Sequence, residues 1–311
     1  MPIDYLQNLV ERVREGLGQV PAEMLDNHRR YIIENQNEDG GFSGREGASD
    51  LYYTGFAIRC LDCLLPWETS VLTGVTSFLR RQLQESANIV DFVSLLYGAQ
   101  LVESRSNDRI IHQSKEAWAE EVGRALERFR RTDGGYGKTA IGSATASGGS
   151  STYHTFLVAL CYQMIGQMIP DLDRVVEFLL SRRRDDGGFV EIAPMKRSGT
   201  NPTAAAIGAL IGLEACSDEV ASDAAEFFVR MQSEEGGLRA NGRAPMADLL
   251  STFTGLLSMT DLDVATWLDL QSVRQFAEGM MEVNGGFRGG LWDNETDVEY
   301  TFYGLGILSM V

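Results

Sequence analysis

Long apolar runs, interdomain linkers and an excess of basic charge are all missing from this 311-residue sequence. No apolar stretch approaches the roughly 20 residues that span a bilayer, so no transmembrane segment is expected. No proline- or serine-rich tract divides the chain, which predicts a single domain over residues 1–311. Acidic residues outnumber basic ones by 44 to 27, and the resulting net charge of −17 argues against nucleic acid and anionic membranes as partners.

A second cysteine pair, which a zinc site would need, is also missing. Cys60 and Cys63 form a Cys-x-x-Cys, and Cys161 and Cys216 lie alone in other apolar stretches. Core packing is therefore favoured over a metal or redox role. The charged, amphipathic N-terminal stretch lacks the pattern of a secretory signal, and with reduced cysteines it predicts a cytoplasmic protein.

What is present is an internal repeat. A Gly-Gly pair followed by an aromatic residue or leucine begins at Gly40, Gly134, Gly187, Gly236 and Gly285. The last four pairs are spaced by 53, 49 and 49 residues. The gap of 94 residues after the first pair has room for one more unit, which we place around residues 70–102.

Each unit combines two kinds of helix. The first is amphipathic, with one apolar stripe such as Leu172, Val175, Val176, Leu179 and Leu180, and we interpret the Gly-Gly pair as its C-terminal end. The second is apolar nearly all round, as in residues 301–311, and must be buried on all sides.

Six such hairpins predict an all-α protein. Because the last helix would be uncovered in an open array, we expect a closed (α/α)6 toroid in which the last hairpin contacts the first. An oligomer contact is the alternative.

The blocks that begin at Gly40, Gly236 and Gly285 resemble the repeats of protein prenyltransferase β subunits, which squalene and terpene cyclases of the acid-initiated class share. The resemblance covers nearly the whole chain. It implies a prenyl diphosphate bound in an aromatic-lined central cavity, a helical α-subunit-like partner, and a zinc ion held by Asp, Cys and His that activates a thiolate.

This chain departs from the implied zinc site. The Asp falls on Asp248, but the Cys falls on Leu250 and the His on Tyr300. One ligand of three remains, so zinc is not expected. Asp248, Asp297, Tyr300 and His154 are the candidate catalytic residues, although a packing role for His154 is the alternative.

The substrate would be bound by residues of the repeat loops and inner helices. Arg239, Arg243 and Arg288 are predicted to bind the diphosphate, although loop arginines are often merely solvated. Tyr53 and Trp292 are predicted to contact the substrate. Gly, Ala and Ser on the inner helices would leave room in the lumen, and their aromatic residues would line it: Tyr52, Tyr53, Phe56, Tyr153, Phe156, Phe253, Tyr300, Phe302 and Tyr303.

A column of carboxylates precedes the inner helices. Asp50, Asp248 and Asp297 each lie four residues before the threonine of their repeat, and Glu299 follows two residues after Asp297. Together they could hold a divalent cation such as Mg²⁺, which carries diphosphate. The alternative is that each aspartate caps its own helix.

Three functions therefore compete. The first is binding and transfer of a prenyl diphosphate, with the loop at residues 137–152 as a flap or as a plain insertion. The second is a non-catalytic toroid that binds a lipid or a partner protein. The third is an (α/α)6 carbohydrate-active enzyme, which would need a wet groove with paired carboxylates instead of an apolar lumen. A cyclase would need an Asp-x-Asp-Asp acid, which the sequence lacks.

Overall fold

The computed structural model describes residues 5–83, 88–106, 109–111, 114–142 and 148–311. Thirteen α-helices occur within these ranges. Six apolar helices form an inner layer: α3 (Leu51–Cys63), α5 (Ile89–Arg105), α7 (Thr152–Met164), α9 (Thr200–Gly212), α11 (Leu249–Asp261) and α13 (Val298–Met310). Six amphipathic helices form an outer layer: α2 (Ala22–Glu34), α4 (Thr69–Gln82), α6 (Lys115–Glu127), α8 (Leu172–Leu180), α10 (Asp218–Met231) and α12 (Leu270–Gly279).

The inner helices close on themselves. Each one packs against the next along the chain, and α13 packs against α3. The all-α toroid of six hairpins is thus confirmed, including the degenerate second unit, which is α4 and α5. The two strands found in the described residues, β1 (Phe287–Arg288) and β2 (Thr296–Asp297), form a short antiparallel ribbon within the last loop.

The first glycine of each repeat pair is required by a close approach between neighbouring hairpins. All five have a positive φ, and a Cβ would lie 2.2 to 2.5 Å from a backbone carbonyl oxygen of another outer helix. The glycine–carbonyl pairs are Gly40–Gly74, Gly134–Arg174, Gly187–Asp223, Gly236–Ser272 and Gly285–Asn27. Our interpretation of the pair as the helix end was wrong, because α8, for example, ends at Leu180, well before Gly187. The glycines form a turn that docks on the adjacent outer helix.

The apolar residue after each pair anchors the turn to the inner helix. Its side chain is fully buried, and its backbone N–H donates to a threonine hydroxyl in the first turns of the inner helix. The pairs are Phe42–Thr54, Tyr136–Thr155, Phe189–Thr203, Leu238–Thr252 and Phe287–Thr301. The repeat signature therefore encodes both the turn and its attachment.

Ring closure uses the same contacts between the last hairpin and α2. Besides the Gly285–Asn27 approach, the backbone N–H of Gly286 donates to Nδ1 of His28 over 3.0 Å. The His28 ring stacks on Phe287 with centroids 4.8 Å apart. On the loops that precede the inner helices, Arg45 pairs with Asp293 and lies 3.4 Å from Asp297. The last hairpin thus contacts the first both at the Gly-Gly turn and through the loops that precede the inner helices.

A helix outside the repeat, α1 (Tyr5–Leu17), covers the ends of the inner helices opposite the Gly-Gly turns. It packs mainly against α13 and α3. Arg12 pairs with Asp261 at 2.6 Å, and Arg14 pairs with the buried Asp62 at 2.8 Å. The toroid therefore has a closed floor and a mouth at the Gly-Gly end.

The Cys-x-x-Cys is part of the core, as expected. Cys60 and Cys63 are buried on α3 and carry free thiols. Burial raises the pKa of both thiols, which disfavours the thiolate that metal binding would need. No helix among the described residues combines the length and the apolarity needed to cross a bilayer.

Candidate functional site

A cavity of about 630 Å³ occupies the centre of the ring. Its floor includes Tyr5, Leu6 and Leu9 of α1. Its walls carry seven of the nine aromatic residues predicted for the lumen: Tyr52, Phe56, Tyr153, Phe156, Phe253, Phe302 and Tyr303. The prediction of an aromatic lumen is thus confirmed, and the volume lies in the range typical of small-molecule sites.

Small side chains on the inner helices keep the cavity open. Ala204 and Ala205 line it from α9, and Ser94 and Ser258 line it from α5 and α11. The aromatic rings of the wall support one another: Phe253 stacks on Tyr303 with centroids 5.2 Å apart, and Phe56 meets Tyr303 edge-on at 5.3 Å. The result is a preformed apolar space with one rigid aromatic wall.

A carboxyl group lies behind this aromatic wall. Glu299 accepts hydrogen bonds from the hydroxyls of Tyr52, at 2.6 Å, and Tyr303, at 3.0 Å. Burial raises the pKa of Glu299, and the two tyrosine hydroxyls oppose that rise. Two of the tyrosines that line the lumen, Tyr52 and Tyr303, are therefore held by one carboxyl group.

The mouth of the cavity is polar and mixed in charge. Asn88, Asp91, Lys138, Glu191 and Asn201 all line it. Burial raises the pKa of both Asp91 and Glu191. This rim provides one ammonium group against two carboxyl groups.

Among the described residues that line the lumen, a guanidinium is the other cation. Arg59 of α3 lines the cavity. Its guanidinium lies over the rings of Phe56 and Tyr97, 5.0 and 5.1 Å from their centroids. Sequence reasoning missed Arg59, although its spacing offered a signal, because Tyr52, Phe56 and Arg59 follow the i, i+4, i+7 pattern of one helix face.

The predicted metal site is not formed. Asp50, Asp248 and Asp297 each accept a hydrogen bond from a backbone N–H in the first turn of their own helix, at 2.7, 2.7 and 2.9 Å. The capping alternative is therefore confirmed. Across the described parts of the chain, no three His, Cys, Asp or Glu side chains are grouped to hold a metal ion. The four carboxylates are not brought together because the caps hold three of them and Tyr52 and Tyr303 hold Glu299.

The predicted diphosphate ligands do not line the lumen either. Arg239 donates to the carbonyl of Arg230 at 3.0 Å, and Arg288 donates to the carbonyl of Gly279 at 2.8 Å. Both thus bind the C-terminal ends of outer helices, where orphan carbonyls attract cations. Arg243 is exposed on its loop.

The remaining predicted site residues lie around the mouth and outside the cavity lining. Tyr53 packs on Gly44, and the half-exposed Trp292 packs on Gly290. Tyr300 lies under the guanidinium of Arg45, 5.7 Å from its ring centroid. His154 places Nδ1 2.6 Å from the Ser151 hydroxyl, and burial lowers its pKa to about 4, so it is neutral near pH 7.

The glycine- and serine-rich loop contributes Lys138 to the mouth. The carbonyl of Lys138 accepts the backbone N–H of Ile89, which ties the start of the loop to α5. Residues 143–147 of the predicted flap lie outside the described residues. A flap motion therefore stays a prediction.

Known proteins share this toroid architecture. The prenyltransferase alpha-alpha toroid domain family matches residues 203–311. Candida albicans protein geranylgeranyltransferase-I, solved with GGPP, is similar in structure over 92% of this chain and 91% of its own, with a TM-score of 0.69 and 16% identity. No curated protein matches this chain by sequence.

Two further solved structures are similar over nearly their full length. A type II terpene cyclase from Scytonema, in complex with geranylgeranyl dihydroxybenzoate, has a TM-score of 0.60 and 12% identity, covering 98% of this chain and 97% of its own. A protein from Actinoplanes has a TM-score of 0.60 and 15% identity, covering 93% and 98%. This chain is thus an α/α toroid similar to those of protein prenyltransferases and type II terpene cyclases.

Proposed function

We propose that this protein binds a linear isoprenoid in its lumen and acts on it as a prenyltransferase-like enzyme. The observation that carries the proposal is the cavity of about 630 Å³, walled by aromatic rings and floored by α1. Each methylene buried there contributes roughly 0.8 kcal/mol. The two similar proteins whose structures contain geranylgeranyl compounds support the same class of ligand.

The lumen also discriminates between the competing functions. A carbohydrate-active site would require a wet groove, whereas this cavity is bounded mainly by aliphatic and aromatic side chains. A non-catalytic lipid-binding toroid would use the same cavity, so only turnover separates it from an enzyme. A helical partner protein is part of the proposal and would be sought by co-purification.

Binding of farnesyl and geranylgeranyl diphosphate, titrated with and without magnesium, checks the proposal. We expect saturable binding to the wild-type protein and at least about tenfold weaker binding to Ala204→Phe, since a ring there fills the lumen. Ala221→Phe on outer helix α10 is the matched control and should bind like the wild type. No saturable binding up to high micromolar concentration would instead favour the partner-binding toroid.

Zinc is not part of the proposed chemistry. Leucine and tyrosine stand where the resemblance implies a thiolate and an imidazole. Leu250 lines the cavity and Tyr300 lies under Arg45, so the zinc site lacks two of its three ligands. We expect metal analysis of purified protein to find no stoichiometric zinc, and Asp248→Ala to cost about 1 kcal/mol of stability through the lost helix cap. Stoichiometric zinc that disappears in Asp248→Ala would contradict this.

The same incubations, analysed by mass spectrometry and NMR, also test for acid-initiated cyclisation. We expect no cyclised product, because the sequence lacks the Asp-x-Asp-Asp acid and Glu299 lies behind the aromatic wall, where it accepts hydrogen bonds from the hydroxyls of Tyr52 and Tyr303.

A further inference from the structure

Arg59 is a positive charge placed in an otherwise apolar part of the lumen. It lies on the same face of α3 as Tyr52 and Phe56, two turns from the helix start and facing the cavity. The faces of Phe56 and Tyr97 hold its guanidinium from two sides. These contacts orient the guanidinium, but ring faces do not replace a hydrogen-bond acceptor.

No hydrogen bond or salt bridge within the described ranges engages the Arg59 guanidinium, and its Nε is buried without a hydrogen-bond partner. The other arginines near the toroid ends differ from it, since Arg14 and Arg105 share Asp62, and Arg45 pairs with Asp293. Glu299 accepts hydrogen bonds from the hydroxyls of Tyr52 and Tyr303. Burial raises the pKa of Glu299 and the charge of Arg59 opposes that rise, but the two side chains form no salt bridge within the described ranges. The buried Nε–H of Arg59 carries a desolvation cost that the oxygen of a bound anion would offset.

We infer that Arg59 anchors the ligand of this lumen by binding a small oxyanion, a carboxylate or a phosphate monoester, attached to the isoprenoid chain. This deepens the proposed function and rests on it. The guanidinium fork fits two oxygens of such a group, and in the desolvated cavity a charge-assisted pair is stronger than in water. The chain would then lie along the aromatic wall formed by Phe253, Phe302 and Tyr303.

The charge of the lumen limits the size of the anion. Arg59 is a single cation, and the polar rim adds Lys138 together with the carboxyl groups of Asp91 and Glu191. The two cations only match the two rim carboxyl groups, so most of the charge of a diphosphate, about three negative charges near neutral pH, would stay uncompensated here. The arrangement therefore favours an anion of one or two charges over a diphosphate.

A purely structural role for Arg59 makes the opposite prediction about stability. If its stacking on Phe56 and Tyr97 holds α3 against α5, Arg59→Met would lower the melting temperature. If Arg59 is a ligand anchor, Arg59→Met keeps an apolar chain in the same space and removes an unpaired charge. The melting temperature should then stay unchanged or rise.

The decisive experiment compares four ligands that share one tail: farnesol, farnesoic acid, farnesyl monophosphate and farnesyl diphosphate. We expect the wild-type protein to bind the acid or the monophosphate about 10- to 100-fold more tightly than farnesol. Whichever of the two binds more tightly identifies the head group. Arg59→Met should lose this preference while still binding farnesol, and Arg59→Lys should keep part of it because it keeps the charge.

Arg239→Met is the matched control, since Arg239 lies outside the cavity lining, and its binding should equal that of the wild type. Equal affinities of the wild type for farnesol, the acid and the monophosphate would overturn the anchor role and leave the isoprenoid proposal standing. A tightest affinity for the diphosphate that survives in Arg59→Met would also overturn it. If the wild type binds none of the four, the proposed function fails as well.

Discussion

Gly285→Ala is expected to lower the free energy of unfolding by about 3 kcal/mol or more, because it adds a backbone clash to a strained φ. Gly285 has a φ of +98°, and a Cβ there would lie 2.3 Å from the carbonyl oxygen of Asn27. Because Asn27 lies on the first outer helix, that contact closes the ring. Chemical denaturation of the variant measures the cost.

Two other glycines separate the causes of this effect. Gly142 has a φ of +84° but open space around its Cβ position, so Gly142→Ala should show only the backbone strain, about 1 kcal/mol. Gly279, the last residue of α12, also has open space and no positive φ, so alanine there should be neutral or slightly stabilising. A loss for Gly285→Ala no larger than that for Gly142→Ala would mean that the ring opens without cost.

Low pH should weaken the contact between α2 and the last hairpin, because His28 is part of that contact. The His28 side chain is 1% exposed, and burial lowers its pKa to about 4. Its Nδ1 accepts the Gly286 N–H, and its Nε2 is buried without a partner among the described residues. A proton on Nδ1 would break that bond, and one on Nε2 would leave a buried charge unpaired.

The direction of the pH effect follows from this lowered pKa. A histidine that stays neutral when folded contributes its full stability above the unfolded pKa of about 6.5 and loses it as the pH falls toward 4. We expect His28 to remove about 3 kcal/mol between pH 7 and pH 4. Denaturation at both pH values, on wild type and His28→Gln, isolates this contribution, because all carboxyl groups are shared. Equal pH dependence in the two proteins would refute the assignment.

The fold could be predicted from sequence because its signature is short-range and repeated. The glycine spacing set the number of hairpins, and the apolar last helix indicated closure. The pattern could not show that the glycines allow close packing on a neighbouring outer helix, since this depends on contacts such as those of Gly187 with Asp223 and of Gly285 with Asn27. Those contacts join different hairpins and leave no local trace.

The site was harder to predict because residue type does not fix the direction of a side chain. Arg239 and Arg288 follow the Gly-Gly turns as expected, yet both bind outer-helix carbonyls. The aspartates were correctly placed before the inner helices, but their carboxylates accept the N-cap hydrogen bonds of those helices and form no metal site. The aromatic lining was predictable because inner helices that close into a ring must turn some of their side chains toward the lumen, whereas Arg59 needed a helix-face count.

The closure between α2 and the last hairpin also sets an order of events during synthesis. His28 and Gly286 are 258 residues apart, so this partner of α2 does not exist until the intervening hairpins have been made. At 5–20 residues per second, translation of that interval takes about 13–50 s. During this time, the face of α2 that later contacts the Gly-Gly turn is uncovered. The nascent chain therefore depends on whatever shields that face until the ring closes.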